Sequence, residues 1–146
     1  EFSRALARGD TATTASYRGA LQARAKMIDT TDKWFAECDA WIAPTLPLTA
    51  FPHQRTGKPL QIDDRREGYS QALASYQCPL ATLACPVVAI PIGRDDHGLP
   101  IGVQITGRRW SDLNLLRVAR QIEALIGGFR PPDLRIDAAG RVDSPA

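Results

Sequence analysis

The sequence predicts an α/β fold in which helices flank a mixed β-sheet. Three stretches carry that reading. Residues 86–107, PVVAIPIGRDDHGLPIGVQITG, form two short apolar runs, each opened by a proline and separated by a polar turn, which reads as two strands joined by a tight connection. Residues 12–35 and 111–126 place apolar residues at spacings of three and four, which reads as two amphipathic helices.

In chain order, Thr13 or Thr14 caps a helix that runs to Phe35 with no proline and no glycine after Gly19. Its apolar stripe is Tyr17, Ala20, Leu21, Met27, Ile28 and Phe35, with Ala23 and Ala25; Arg18, Gln22, Arg24, Lys26 and Asp32 mark the wetter side. A strand over Ala40–Ala43 follows, stopped by Pro44. Pro44 to Gln61 holds Pro44, Pro47, Pro52, Pro59 and Gly57 with little periodicity, and so long an irregular connection points to a functional segment or a surface crossover. A short helix is expected over about Arg66–Tyr76, broken at Cys78-Pro79, because the residue before a proline avoids the helical region. Val87, Val88, Ala89 and Ile90 are apolar without alternation, the pattern of a strand covered on both faces. Pro91 and Gly93 end it, and Gly98 offers the positive φ that a turn over Arg94–Gly98 needs. Pro100 opens the second strand, Ile101–Ile105, where no ladder donor is yet required. Ser111 is the expected N-cap of the last helix, and Asp112 puts negative charge in its first turn. Leu115, Leu116, Ala119, Ile122 and Ile126 give its apolar face, and Gly127-Gly128 end it. Arg130 to Ala146 reads as a tail.

A 44% hydrophobic content over 146 residues is ample for one core. Eighteen basic and 16 acidic residues leave a net charge of +2, too balanced for a nucleic-acid surface, and Arg108-Arg109-Trp110 reads as a solvated strand end. Cys38, Cys78 and Cys85 are odd in number and lack Cys-x-x-Cys spacing, so neither a disulfide framework nor a zinc site is expected, and a reducing cytoplasm fits best. His53 and His97 stand without an acidic or cysteine ligand pattern; no metal and no cofactor are expected. Cys85 reads as a small buried apolar residue rather than a nucleophile. Leu80 to Ile92, the longest apolar run, is interrupted by prolines and falls short of the roughly 20 residues of a spanning helix, so no membrane association is expected. Gly98, Gly102 and Gly107 lie around a strand rather than between a strand and a helix, which argues against a phosphate loop.

The order proline, four apolar residues, Pro-x-Gly, polar turn, Gly-Leu-Pro-Ile-Gly-Val-Gln ending at Gln104, then a helix opened by an acidic residue, resembles the C-terminal part of the amidase signature hydrolases. Asp39 to Pro47, DAWIAPTLP, is similar to that family's strand ending in Pro-Thr-x-Pro, and Ser111 to Leu116, SDLNLL, to its last long helix. The likeness covers Ala5 to Pro132. It implies that residues 1–132 are the C-terminal segment of an amidase-signature domain, with a partial amidase-signature fold whose large mixed sheet is completed elsewhere, and that residues 133–146 are a flexible tail.

Members of that family cleave carbon–nitrogen bonds with a Ser-Ser-Lys triad, its nucleophile in a Gly/Ser-rich loop. Here Ser3, Ser16, Ser70, Ser75, Ser111 and Ser144 include no Ser-Ser pair and no glycine cluster, and the lysines are Lys26, Lys33 and Lys58. No residue of this chain is therefore assigned as catalytic. The resemblance implies the C-terminal part of an amidase, whose partners are the N-terminal part of the same amidase and a small amide substrate, with a homo-oligomer as a further expectation. The start at Glu1-Phe2, with Met27 the only methionine, is read as that of a partial chain.

The resemblance also implies that connections in this half lie near the mouth of the substrate cleft. Pro44 to Gln61, with His53, is then the candidate substrate-selecting segment. Gln104 is an amide inside an otherwise apolar strand, so it either ties the strand to neighbouring backbone or stands at the cleft wall. His53 and Gln104 are the candidate substrate-binding residues. Many family members carry an asparagine and a glycine where this chain has Ala81 and Ala84, and tRNA-dependent members use an acidic residue near Ala74. Those departures favour a general amidase over an A-subunit fragment of a glutamyl-tRNA amidotransferase. Two further readings stay open: a free-standing, non-catalytic binding module, and an unrelated small α/β enzyme using Cys85 or a histidine.

Overall fold

In a computed structural model, which describes residue 7, residues 9–131 and the strands at 135–136 and 142–143, the chain runs α1 (Thr14–Trp34), β1 (Trp41–Pro44), β2 (Leu60–Ile62), β3 (Arg65–Glu67), α2 (Tyr69–Ala74), α3 (Gln77–Thr82), β4 (Val87–Arg94), β5 (Pro100–Thr106), α4 (Asp112–Ile126), β6 (Arg135–Ile136) and β7 (Val142–Asp143). It is an α/β arrangement with antiparallel sheets, the main one three-stranded in the order β1-β5-β4. The hairpin of β4 and β5 lies where the paired apolar runs place it. Val88 stands opposite Ile105 and Ile90 opposite Val103, with a register shift between Pro91 and Gly93. On the other side of β5, Trp41 pairs with Thr106 and Ala43 with Gln104. Gly98 adopts φ +78° in the connecting turn.

α4 covers one face of this sheet. Ile90, Ile105, Leu115 and Ala119 form the core, with Ala40, Val88, Val103, Val118 and Ile122 packed against it. Of the expected face, Leu115, Ala119 and Ile122 meet the sheet, whereas Leu116 is 49% exposed and Ile126 lies outside the core. Neighbouring helical positions point about 100° apart, so only one of the two leucines can meet the sheet. Gly107 permits the approach, because a Cβ there would meet Leu115 Cβ at 3.2 Å. Ser111 occupies the N-cap but its side chain makes no capping bond; its hydroxyl donates to Arg108 O at 2.6 Å instead. Gly127, at φ +92°, ends the helix in the left-handed conformation glycine takes freely.

β4 departs from the expected two-sided cover. Ile90 is buried and Val88 half-buried under α4, while Val87 and Ala89 on the opposite face are exposed.

α1 opens with a capping box: Ser16 N donates to Thr13 Oγ1 at 3.1 Å, and Thr13 N donates to Ser16 Oγ at 3.0 Å. None of its residues is fully buried. The side that touches the rest of the chain is Arg24, Ile28, Thr31 and Asp32, followed by buried Phe35. The reading of Arg24 and Asp32 as the wetter side is thus corrected. Arg24 Nε donates to Thr82 O at 2.7 Å, capping a free carbonyl at the end of α3, and Asp32 pairs with Arg109. Tyr17, Leu21 and Met27, assigned to the apolar stripe, are exposed.

Part of the stretch expected to be irregular or helical is a small hairpin. β2 and β3 pair antiparallel through Leu60 and Glu67, Gln61 and Arg66, and Ile62 and Arg65, turning at Asp63, which takes φ +49°. The helix expected from Arg66 shortens to α2. Pro79 ends no helix; it sits in the first turn of α3, where its missing N–H has no intrahelical acceptor to lose. The tail expected over 133–146 lies outside the described residues, apart from the ladder of β6 on β7. Among the described residues, no helix is long and apolar enough to cross a membrane.

Candidate substrate-facing site

The irregular segment between β1 and β2 is fixed at its root by β5. Thr45 N and Thr45 Oγ1 both donate to Gly102 O, at 3.2 and 3.0 Å. Gly102 is what allows that approach, since a Cβ there would stand 3.2 Å from Thr45 Oγ1. Gln77, at the start of α3, donates to Thr45 O at 3.4 Å. Behind this root lies Gln104, buried, whose amide nitrogen donates to Pro44 O at 2.9 Å and to Tyr76 O at 3.1 Å. One side chain on the central strand therefore joins the end of β1 to the junction of α2 and α3. This is the backbone-tying arrangement, and it satisfies carbonyls that end two elements.

Further along, Thr49 Oγ1 donates to Asp95 Oδ2 at 2.9 Å, while Asp95 Oδ1 accepts from His97 N and Leu99 N at 2.9 and 2.8 Å. Burial pushes the Asp95 carboxyl up, but the donors from Leu99, Thr49 and His97 outweigh it and hold the group below the usual carboxylate range. The segment is thereby tied to the hairpin turn as well as to the strand.

Two hollows flank this framework. One, of about 520 Å³, is formed by the segment itself, with Phe51, His53, Gln54, Lys58 and Leu60 among its walls. The other, of about 580 Å³, lies between the β2–β3 hairpin and α2, with Pro47, Asp63, Arg65, Glu67, Gln71 and Tyr76 on its surface. His53 thus faces a hollow, whereas Gln104 stands behind the root of the same segment and lines neither. The two candidate residues are not brought together. Gln71 and Tyr76 escaped the sequence reading. Their only trace in the sequence is the apolar pair Leu60 and Ile62 around Gln61, too short an alternation to mark the hairpin that forms one wall of their hollow.

The hydroxyls of Ser16, Ser75 and Ser111 donate to Thr13 O, Ala72 O and Arg108 O. Burial pushes the Cys85 thiol up, with the Asp32 charge adding to it, so the group stays protonated and poorly nucleophilic. Among the described residues no group of three metal-ligating side chains is assembled.

The family model described as Amidase matches residues 1–116. The A-subunit of the glutamyl-tRNA(Gln) amidotransferase of Exiguobacterium sp. is 36% identical over 120 residues, covering 82% of this chain and 23% of that protein. The fatty acid amide hydrolase of Medicago truncatula is 33% identical over 117 residues, covering 79% of this chain and 19% of that one. Among solved structures, an inhibitor-bound chain from a vestigial complex that reveals the origins of an s-triazine catabolic enzyme superposes with TM-score 0.71 at 26% identity, covering 81% of this chain and 26% of that chain. The chain spans about a quarter of the length of the relatives it matches.

Proposed function

Since this chain belongs to the amidase family, we propose that it is the C-terminal part of an amidase that hydrolyses carbon–nitrogen bonds, with the Ser-Ser-Lys triad carried by a portion outside these residues. Its contribution is sheet, outer helices and one wall of the substrate cleft. The observation that carries this reading is the incomplete cover of the sheet: α4 shields one face, while on the other face Gln104 and Thr106 of β5 are buried but Val87 and Ala89, their neighbours on β4, remain exposed, as does Trp41 on the edge strand β1. Apolar strand surface of this kind is stable only against further structure. The substrate is a small amide, and the segment 45–59 with His53 is the selecting surface. Gln104 serves that surface from behind, by holding its root. The three free cysteines accord with a cytoplasmic enzyme.

A second reading, the A-subunit of a glutamyl-tRNA amidotransferase, is favoured by the 36% identity to one such protein. Ala74 on α2, near which the resemblance implies an acidic residue in the tRNA-dependent members, weighs against it. The test is the complete polypeptide assayed on simple anilides and primary amides through the amine released. Hydrolysis is expected, and His53→Ala is expected to change the ratio of rates between two amides while both are still cleaved. A complete polypeptide that cleaves no amide contradicts the reading.

A further inference from the structure

α1 reaches past the body it packs on. Tyr17, Leu21, Arg24, Ile28, Asp32 and Phe35 recur at steps of three and four and so share one side of the helix. The C-terminal part of that side is docked: Arg24 on Thr82 O, Asp32 on Arg109, Phe35 buried. The N-terminal part is not, since every residue from 11 to 23 is exposed and Tyr17 and Leu21 are 62% and 46% exposed. Short helices without tertiary contacts are marginal in water. This one nevertheless continues to a complete capping box at Thr13 and Ser16. Arg24 and Asp32 also fix the rotation of the helix, so the free end of the stripe points the same way as the docked end, past the terminus of α3.

We propose that the exposed side of α1 over residues 14–23 is the seat for the catalytic portion of the amidase, with Tyr17 and Leu21 as its apolar anchors. This rests on the reading of the chain as one part of an amidase. The choice of occupant follows from continuity and length. The free stripe prolongs an interface that α1 already makes, so its cover must lie directly beside the α3 end. The relative of which this chain covers 23% has most of its fold left to fill that place.

The test uses the complete enzyme with photoreactive benzoylphenylalanine placed at Tyr17, at Leu21 or, as a control about 100° round the helix from Leu21, at Gln22. Irradiation is expected to crosslink positions 17 and 21 to peptides of the catalytic portion, and position 22 to give little. Crosslinks from 17 or 21 to a second copy of this chain, or yields no higher than at Gln22, overturn the proposal. Amide hydrolysis measured on the same samples separates the two claims. Hydrolysis without the crosslinks removes this docking surface alone, whereas crosslinks without hydrolysis uphold the surface and remove the amidase reading.

Discussion

Arg109, just past the end of β5, grips Asp32 near the end of α1 with two N–H donors, Nε meeting Oδ1 at 3.1 Å and Nη2 meeting Oδ2. The pair fastens the first helix to the central strand, and its forked geometry is the stronger kind of ion pair. Hydrogen bonding to Arg109, helped by the charges of Arg109 and Arg108, outweighs desolvation and holds the Asp32 carboxyl below the usual range. A carboxylate with a depressed folded value adds stability above its unfolded value of about 3.9 and loses it as pH falls through the folded value. Asp32→Asn is therefore expected to melt at a lower temperature than the parent at pH 7, with the gap closing as pH falls below about 4. Thermal unfolding across a pH series checks this, and a gap independent of pH shows that the contact is not ionic.

Gln104 and Thr106 share a face of β5 and stand in opposite positions energetically. Gln104 satisfies two backbone carbonyls, so Gln104→Leu strands both and is expected to cost about 1–3 kcal/mol. Thr106 Oγ1 is buried with no hydrogen-bond partner. Thr106→Val keeps the shape and removes the orphaned hydroxyl, and is expected to leave stability unchanged or raise it by about 1 kcal/mol. Denaturant midpoints of the two variants should move in opposite directions or, for Thr106→Val, stay put.

Ala84, two residues past the end of α3, takes φ +56°, a left-handed conformation that costs an alanine about 1–2 kcal/mol. Ala84→Gly removes that strain but loosens the unfolded chain, leaving an expected gain of about 0.5–1 kcal/mol. A lower melting temperature for Ala84→Gly shows that packing of the methyl group outweighs the backbone.

Leu115→Ala removes a buried side chain from the centre of the core and is expected to cost about 2–5 kcal/mol. Leu116, next to it and half exposed, is expected to lose about 1 kcal/mol or less on the same change, as a site outside the core. Equal losses show that α4 is rotated from this position.

What the sequence made legible was local. Pro44 and the Gly127-Gly128 pair marked the ends of β1 and α4, and the paired apolar runs marked the hairpin; Pro91 and Gly93 did not end β4, which runs on through them, with a register shift, to Arg94. The face of α1 was hidden because its docking depends on partners far along the chain, Thr82 O for Arg24 and the Arg109 guanidinium for Asp32. Periodicity sorts residues by polarity and cannot see that an arginine or aspartate will find a partner inward. The β2–β3 hairpin was hidden because its strands are too short, and Arg65-Arg66-Glu67 too polar, to show alternation. The one-sided cover of β4 follows the same logic: Val87 and Ala89 read as buried because their pattern fits a larger sheet than the three strands assembled here. At the candidate site, His53 was legible only through its proline-rich segment, and the two backbone partners of Gln104 not at all.

The most direct measurement of the central claim is amide hydrolysis by this 146-residue chain, first alone and then mixed with the separately produced catalytic portion of the amidase, followed by the chromophore released from an anilide. The chain alone is expected to give no turnover, and the mixture is expected to recover it. Turnover by the chain alone that survives repurification and changes with a substitution in one of its own residues contradicts the account.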